Sequence, residues 1–174
     1  MGSVSSGTIN NSYATGTASG SDAGGLVGQN TGTINNSYAT GTVGNSNAGD
    51  IGGLVGQLGS GNSINNSYAT GSVISSGNQY IGGLVGENAG TINDSYSISS
   101  VSGSTSSSKE GGFVGQDSSG VYSADYWNST INSTLNSAGS GALTNVAGES
   151  TTWLQTQSNY PAGYVLVQRQ QTGL

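Results

Sequence analysis

The sequence contains no cysteine and no histidine, and it is poor in charged residues and in proline. Its 174 residues include one proline, two basic residues and eight acidic residues. Without cysteine there is no disulfide, no thiolate metal site and no thiol nucleophile. Without histidine there is no histidine-liganded zinc site and no histidine-based catalytic triad. These absences exclude the commonest catalytic and metal-binding arrangements.

The charge balance argues against two classes of partner. The formal net charge is −6, and Lys109 and Arg169 are the only basic residues. Nucleic-acid binding needs a dense basic patch that releases counterions from the phosphates, and anionic membrane surfaces also attract basic clusters. The sequence lacks the run of about 18 apolar residues that a transmembrane helix needs. We therefore expect no nucleic-acid partner and no membrane insertion.

The eight acidic residues form no recognisable site in the sequence. They are spread along the chain, mostly within Gly-, Ser- and Asn-rich stretches that are typical of turns. A cluster of oxygen ligands is not apparent, and the glycine-rich calcium-binding nonapeptide is absent. We interpret each acid as a solvated surface group. The sequence therefore predicts no catalytic residue, no metal site and no cofactor.

What the sequence does contain is an internal repeat. The stretch GTINNSYATGT occupies residues 7–17 and returns unchanged at residues 32–42, with a shorter copy at residues 64–71 and a looser one at residues 91–96. A second phrase, Gly-Leu-Val-Gly or Gly-Phe-Val-Gly, begins at Gly25, Gly53, Gly83 and Gly112. These glycines are 28, 30 and 29 residues apart (53−25, 83−53, 112−83). A period in this range is typical of stacked repeat architectures.

The repeat predicts an all-β fold, a parallel β-solenoid (β-helix) of about four to five rungs. We place the solenoid at residues 1–127, with rungs at about 7–31, 32–60, 61–89 and 90–119 and a partial rung at 120–127. Residues 128–174 are predicted to form a loop-rich C-terminal cap. Within that cap, a short helix is expected from an N-cap at Ser150, and a last strand at 164–167.

Alternation of small and large residues, read through one long strand per rung such as residues 37–43, predicts which side chains face a thin core between two closely spaced sheets. Small residues are expected to point inward, as in Ser37, Ala39, Gly41 and Val43, and tyrosine and threonine outward. The predicted core contains one large residue from each half-rung: Leu26, Leu54, Leu84, Phe113, Ile9, Ile34, Ile64 and Ile92. The Asn10–Asn11 pair and its copies predict a corner, because asparagine tolerates the left-handed conformation and can bond to its copies in adjacent rungs.

The outward residues give two candidate binding surfaces. One is a flat Thr-Gly-Thr face with side chains about 7 Å apart along the strand and about 4.8 Å apart between rungs; it comprises Thr15, Thr17, Thr40, Thr42, Thr70 and Ser72. It is similar to the ice-binding faces of unrelated β-solenoids. The other is a tyrosine column suited to carbohydrate or protein contact; it comprises Tyr13, Tyr38, Tyr68, Tyr96 and Tyr126. Either set could also serve only to stabilise the sheet.

Six asparagines begin Asn-X-Ser/Thr glycosylation patterns. They are Asn10, Asn35, Asn65, Asn93, Asn128 and Asn132. The first four come from the repeated corner, so a structural asparagine explains them better than glycosylation does.

The two repeated phrases together resemble a known family. Gly-Gly-Leu-Val-Gly-(Gln/Glu)-Asn, followed by Thr-Ile-Asn-Asn-Ser-Tyr-Ala-Thr-Gly-(Thr/Ser)-Val, resembles the GLUG repeat of bacterial surface proteins. These include filamentous-haemagglutinin-like adhesins and some secreted peptidases. Residues 125–127, Asp-Tyr-Trp, look like the segment that often closes such arrays. The resemblance extends over about residues 7–144 and implies an extracellular or cell-surface location.

We therefore expect a non-catalytic extracellular repeat module of a bacterial surface adhesin or stalk, which presents its Tyr and Thr ladders for binding. The alternative is an ice-binding protein that uses the Thr-Gly-Thr face. A weaker alternative is a filament subunit that associates end to end, because the first residues lie within a rung. The expected partner is a carbohydrate, a protein or an ice surface.

Overall fold

The computed structural model describes residues 2–45, 49–77, 80–103 and 109–160. Almost all regular structure in these residues is β-strand; the exceptions are a helical turn α1 (Thr151–Leu154) and a 3₁₀ turn at Gln157–Asn159. The strands of the first half are β1 (Ser3–Asn10), β2 (Tyr13–Ala14), β3 (Ala18–Ser19), β4 (Ala23–Gly24), β5 (Val27–Asn35), β6 (Tyr38–Ala39), β7 (Val43–Asn45), β8 (Ile51–Gly52), β9 (Val55–Leu58), β10 (Ser63–Asn65) and β11 (Tyr68–Ala69).

The strands of the second half continue the same pattern until the C-terminal segment. They are β12 (Ser72–Ser75), β13 (Ile81–Gly82), β14 (Val85–Asn88), β15 (Thr91–Asn93), β16 (Tyr96–Ser97), β17 (Ser100–Ser102), β18 (Glu110–Asp117), β19 (Val121–Ser123), β20 (Asp125–Asn128), β21 (Asn136–Ser140) and β22 (Val146–Glu149). No helix in the described ranges is long and apolar enough to cross a membrane.

The strands form three sheets that run along the repeat axis. Sheet A has twelve strands in the order β19-β15-β10-β5-β9-β14-β18-β13-β8-β4, with β1 on β5 and β21 on β18. Sheet B has the order β2-β6-β11-β16-β20-β22, and sheet C the order β17-β12-β7-β3. Neighbouring strands pair in parallel, and each repeat residue stands opposite its own copy. The chain is therefore a parallel β-solenoid of about four turns, which confirms the fold predicted from the repeat.

The chain turns from sheet A to sheet B at the asparagine pair, as predicted. Asn11, Asn36, Asn66 and Asp94 have φ between 47° and 50°. This left-handed conformation is one that Asn and Asp adopt more readily than other non-glycine residues. The repeated Asn-Asn pair thus encodes a corner.

The core contains the predicted large residues and a second set that the alternation missed. Leu26, Ile34 and their copies are buried, as expected, except that Ile9 in the first rung is only partly buried. Val27 is buried in the same cluster as Leu26, although neighbouring residues of a straight strand face opposite sides. The chain bends at Gly25–Leu26, between β4 and β5, so both side chains point inward. Gly24 permits this bend, because a Cβ there would lie 2.0 Å from the Val27 carbonyl oxygen.

The long strand predicted through the Ser-Tyr-Ala-Thr-Gly-Thr-Val stretch is wrong. The chain bends at Gly41, so that β6 belongs to sheet B and β7 to sheet C. The predicted inward residues Ser37, Ala39 and Val43 are nevertheless buried. A Cβ at Gly41 would lie 2.0 Å from the carbonyl oxygen of Gly16 in the rung below. Close stacking of rungs, rather than a thin core between two sheets, therefore requires this glycine.

The C-terminal segment contains strands where the sequence predicted only loop. Strand β21 pairs with β18 and extends sheet A, and β22 pairs with β20 and extends sheet B. Their small residues stack on the last rung without repeating its motif, which covers backbone edges that would otherwise stay unpaired. The predicted helix start is confirmed, because the Ser150 side chain accepts a hydrogen bond from the Trp153 N–H at 3.2 Å. The predicted strand at 164–167 lies outside the described residues.

A single asparagine side chain closes the upper edge of sheet C. Asn132 Nδ2 donates to the carbonyl oxygen of Ser99 at 2.9 Å, and Asn132 Oδ1 accepts from the Val101 N–H at 3.0 Å. The amide thus supplies the donor and the acceptor that a further strand would supply. Unpaired strand edges invite association, and this contact removes one.

Replacing Gly41 by alanine should destabilise the solenoid by about 1–3 kcal/mol, because the new methyl group would press on the Gly16 backbone. The matched control is Gly44→Ala, where the Cβ would lie 3.7 Å from the Ile74 carbonyl oxygen, an ordinary contact. The control should change the free energy of unfolding by less than about 0.5 kcal/mol. Denaturant unfolding of both variants measures this. Equal stability of the two variants would contradict the stacking explanation.

Candidate binding surface

Four tyrosines of sheet B, one in each of the first four rungs, form a continuous stack on the outside of the solenoid; the fifth, Tyr126, packs against Trp153 and Tyr160. Each of the four follows the corner by two residues, after a serine that points inward. Ring centroids are 5.3 Å apart for Tyr13–Tyr38, 4.9 Å for Tyr38–Tyr68 and 4.9 Å for Tyr68–Tyr96. The corresponding interplanar angles are 10°, 4° and 4°. The rings are therefore stacked face to face along the axis of the solenoid.

The upper part of this column is covered, so the predicted surface is only partly available. Tyr13 is 65% exposed, whereas Tyr68 is 6% and Tyr96 is 2% exposed. Leu154 and Tyr160 of the C-terminal segment form one buried cluster with Tyr68 and Tyr96. Burial raises the pKa of Tyr68 to about 12 and that of Tyr96 further. Tyr68 and Tyr96, which the sequence analysis placed on the binding surface, are therefore covered by the C-terminal segment in the folded chain.

The stacking also changes what the exposed tyrosines offer. Each internal ring covers the face of the next, so mainly ring edges and hydroxyl groups point to solvent. The free ring face belongs to Tyr13, at the N-terminal end of the described stack. The flat aromatic area expected from the sequence is thus limited to Tyr13, with the edge of Tyr38 beside it.

The Thr-Gly-Thr residues do not lie on one flat face. The bend at Gly16, Gly41 and Gly71 separates each pair, so that the first threonine directly follows a sheet B strand and the second residue precedes or begins a sheet C strand. The first residues are Thr15, Thr40 and Thr70, and the second are Thr17, Thr42 and Ser72. A glycine that stacks on its copy with no room for Cβ favours a corner, and the alternation pattern could not show this.

Two hydrogen-bonded ladders flank the corner. The asparagine amides form a chain in which Asn35 Nδ2 donates to Asn10 Oδ1, Asn65 Nδ2 to Asn35 Oδ1 and Asn93 Nδ2 to Asn65 Oδ1, each at 2.9 Å. Inside the corner, each serine N–H donates to the hydroxyl oxygen of the serine one rung above, at 3.1, 3.1 and 3.2 Å; these contacts join Ser12, Ser37, Ser67 and Ser95. The bonding between asparagine copies predicted from the sequence is confirmed.

The remaining two glycosylation-pattern asparagines are also structural in this fold. Asn128 and Asn132 are 0% and 5% exposed. Asn128 Nδ2 donates to Thr151 Oγ1 at 2.9 Å, and its Oδ1 accepts from the Thr130 and Ile131 N–H groups. Both amides are engaged and buried, so neither is accessible to a modifying enzyme in the folded chain.

Asp125 ends the serine ladder, and it is buried rather than solvated. It occupies the position of the ladder serines, with its Oδ1 accepting from the Ser95 N–H at 2.9 Å and its Oδ2 from the Ser123 N–H at 3.1 Å. Burial raises the pKa of Asp125 well above its ordinary value, although the two backbone N–H groups oppose this shift. The solvated interpretation of this acid was wrong, because residue spacing alone did not show that it lies inside the corner.

The sequence analysis missed a row of acidic and amide side chains along sheet A. In each of the first two rungs the acid directly precedes a short strand, β4 or β8, and the glutamine lies in the next strand, β5 or β9. Gln29 Nε2 donates to Asp22 Oδ2 at 2.7 Å, and Gln57 Nε2 donates to Asp50 Oδ2 at 3.0 Å. Gln57 Nε2 also contacts Glu87 Oε2 at 3.3 Å. Burial, with a smaller contribution from Glu87, raises the pKa of Asp50. The equal spacing of the two Asp and Gln pairs was the signal available in the sequence.

The described cavities are open depressions rather than enclosed pockets for a substrate. One of about 680 Å³ lies below the first rung and is lined by small residues such as Ala14, Ala18 and Ala23. Another of about 240 Å³ lies beside Gln29, Gln57 and Glu87. Within the described ranges, no three acidic side chains gather into a group that could hold a metal ion. End-to-end association through the first rung stays a prediction.

The three parallel sheets and the ladders along them define the chain as a parallel β-solenoid repeat protein. Residues 19–44, from the end of the first sheet C strand to the second, match the family model of the GLUG motif. The chain therefore carries a GLUG repeat. No curated protein and no solved structure matches the chain.

The tyrosine column should contribute to stability mainly through its covered part. Tyr68→Ala should lower the free energy of unfolding by about 3–5 kcal/mol, the range for removing a buried aromatic ring. Tyr13→Ala is the matched control, and it should cost about 1 kcal/mol or less, because it removes one stacking contact at an exposed position. Urea denaturation of both variants tests this, and a Tyr13 effect as large as the Tyr68 effect would refute it.

Asp125 should make the protein less stable as pH rises. The folded chain holds the Asp125 proton more tightly than the unfolded chain, so the free energy of unfolding decreases between the ordinary carboxyl pKa of about 3.9 and the raised folded value. Asp125→Asn removes this proton and keeps an acceptor for Ser95. Its unfolding free energy should therefore vary less between about pH 4 and pH 7.

The control for this measurement is Asp94→Asn, which removes a charge at the neighbouring corner, where other rungs have asparagine. The Asp94 charge contributes less than burial does to the raised pKa of Asp125, so that variant should keep most of the pH dependence of the unaltered chain. A pH dependence that Asp125→Asn leaves unchanged would be evidence against a raised pKa at Asp125.

Proposed function

We propose that the chain is a non-catalytic repeat module of an extracellular bacterial surface protein, an adhesive or stalk segment. The observation that carries this proposal is the in-register stacking of identical residues over about four turns. Polar side chains of the repeat bond mainly to their own copies, in the asparagine and serine ladders above all. Such an arrangement favours a rigid rod with a repeated surface over a convergent catalytic site.

The GLUG motif at residues 19–44 supports the same class of function. The amino-acid composition is consistent with it, because neither histidine nor cysteine is present and few side chains are charged. A fold accompanies many functions, so the surface must supply the specific role.

We assign the adhesive contact to the uncovered end of the tyrosine column. Tyr13 offers one free ring face, and Tyr38 offers a half-buried ring edge with its hydroxyl group. Thr15 and Thr40 lie next to them in the outward direction of sheet B. An amphipathic ring beside hydroxyl groups is suited to a neutral carbohydrate, whose apolar face can stack on Tyr13. Ligand binding would therefore use the first two rungs.

Glycan-array binding of the 174-residue chain tests this assignment. The unaltered chain should bind at least one neutral glycan, and Tyr13→Ala should reduce the signal at least tenfold, because the free ring face is lost. The matched control is Tyr80→Ala, which removes a half-buried tyrosine outside the column, next to Lys109. Undiminished binding by Tyr13→Ala, or equal losses in both variants, would overturn the assignment to the tyrosine column.

A further inference from the structure

A second regular surface lies on sheet A, and neither the tyrosine column nor the Thr-Gly-Thr corner includes it. Its side chains alternate with the buried isoleucines of the repeat and so face outward. We call it the Thr/Asn face. It consists of two columns, Thr8, Thr33, Ser63 and Thr91 beside Asn10, Asn35, Asn65 and Asn93, which are paired in register.

The Thr/Asn face is flat because successive rungs are related almost by translation alone. Adjacent strands of an ordinary sheet are rotated by roughly 20–25° relative to each other. Here the ring centroids of Tyr38, Tyr68 and Tyr96 lie 4.9 Å apart at each step, close to the spacing of about 4.8 Å between paired strands, so each rung is displaced sideways very little from the one below. The three asparagine contacts of 2.9 Å are likewise uniform. The side chains therefore form a two-dimensional lattice.

The spacing and rigidity of this lattice follow from the strands. Copies lie about 4.8 Å apart along the solenoid, and the threonine and asparagine columns lie about 7 Å apart along each strand. The amide ladder holds each asparagine in one orientation, and Asn65 Nδ2 also contacts Ser63 Oγ at 3.3 Å. Groups that are already ordered lose little conformational entropy on binding.

The chemistry of the Thr/Asn face limits the kinds of partner that could bind it. The eight side chains of its two columns carry hydroxyl, methyl and amide groups, and none of the eight is charged. Small organic ligands favour concave sites, and this surface is flat. Sugar stacking needs an exposed ring face, which these columns lack. A flat, neutral and periodic surface best matches a partner that is itself a neutral periodic lattice of hydrogen-bonding groups.

We infer that the Thr/Asn face binds the surface of ice. Ordered water molecules would take the hydroxyl and amide positions, and the threonine methyl groups would lie between them. This is a function beyond carbohydrate adhesion, and it uses a different sheet from the Tyr13 contact. The Thr/Asn face, rather than the Thr-Gly-Thr residues, is the proposed ice-binding surface, because the Thr-Gly-Thr residues are divided between the ends of sheet B and sheet C strands.

The test is thermal hysteresis and ice-crystal shaping by the 174-residue chain. The unaltered chain should separate the melting and freezing points and produce faceted crystals. Thr33→Tyr and Ser63→Tyr, in the two central rungs of the face, should each abolish most of the hysteresis because a bulky ring interrupts the lattice. Thr42→Tyr is the matched control at an exposed position on the corner, and it should retain the full effect.

Thr8→Tyr is a second variant in the same face that should not impair folding, because Thr8 is exposed. It should reduce the hysteresis only in part, since Thr8 lies at the edge of the face. Circular dichroism should show the same β spectrum for all variants. Absence of hysteresis in the unaltered chain overturns the inference. So does a loss caused by Thr42→Tyr with Thr33→Tyr unaffected. Glycan binding is measured separately and would survive either result.

Discussion

Every residue in the repeated part must be compatible with its own copy about 4.8 Å away, and this requirement governs the whole structure. An asparagine amide meets it because the group carries both a donor and an acceptor. A serine meets it through its hydroxyl, and a tyrosine by stacking its ring. A glycine meets it where the backbones approach too closely for Cβ, as between Gly16 and Gly41. Side chains that cannot lie next to an identical side chain in the adjacent rung are excluded from these positions.

Charged side chains are the clearest case of residues excluded from the stacked positions. Like charges opposite one another destabilise paired strands, and only 6% of the residues are charged. Where acids do recur, amides are placed between them. Gln29 donates to Asp22, and Gln57 donates to both Asp50 and Glu87. The low charge content is therefore a consequence of stacking, and it needs no explanation from the kind of partner.

A ladder must also end, and the upper end uses residues that the repeat does not contain. Asp125 replaces the ladder serine and accepts hydrogen bonds from two backbone N–H groups, that of Ser95 in the rung below and that of Ser123 just before the corner of its own rung. Asn132 imitates the peptide group of a further strand at the edge of sheet C. Buried polar groups are tolerated there because each is paired. The cost of burying Asp125 remains visible in its raised pKa.

The sequence was informative wherever a feature repeats and uninformative wherever it does not. The corner at Asn11, the asparagine ladder and the buried leucines all follow from residue type and period. The bends at Gly25–Leu26 and Gly41 do not follow, because glycine is compatible with both straight and bent backbone. The cover over Tyr68 and Tyr96 also could not be predicted, since it comes from a segment distant in sequence whose side chains match no repeat.

Departures from the repeat nevertheless indicate where another segment of the chain covers the solenoid. The residue two positions after the column tyrosine is threonine in the uncovered rungs, at Thr15 and Thr40, but isoleucine at position 98. Ile98 packs in the cluster formed by Tyr96, Leu154 and Tyr160, where a hydroxyl would lose its contact with water. An apolar replacement within a polar column thus marks where another segment lies against the solenoid. The converse does not hold, because Thr70 keeps a hydroxyl beside Tyr68 although the Tyr68 ring is covered.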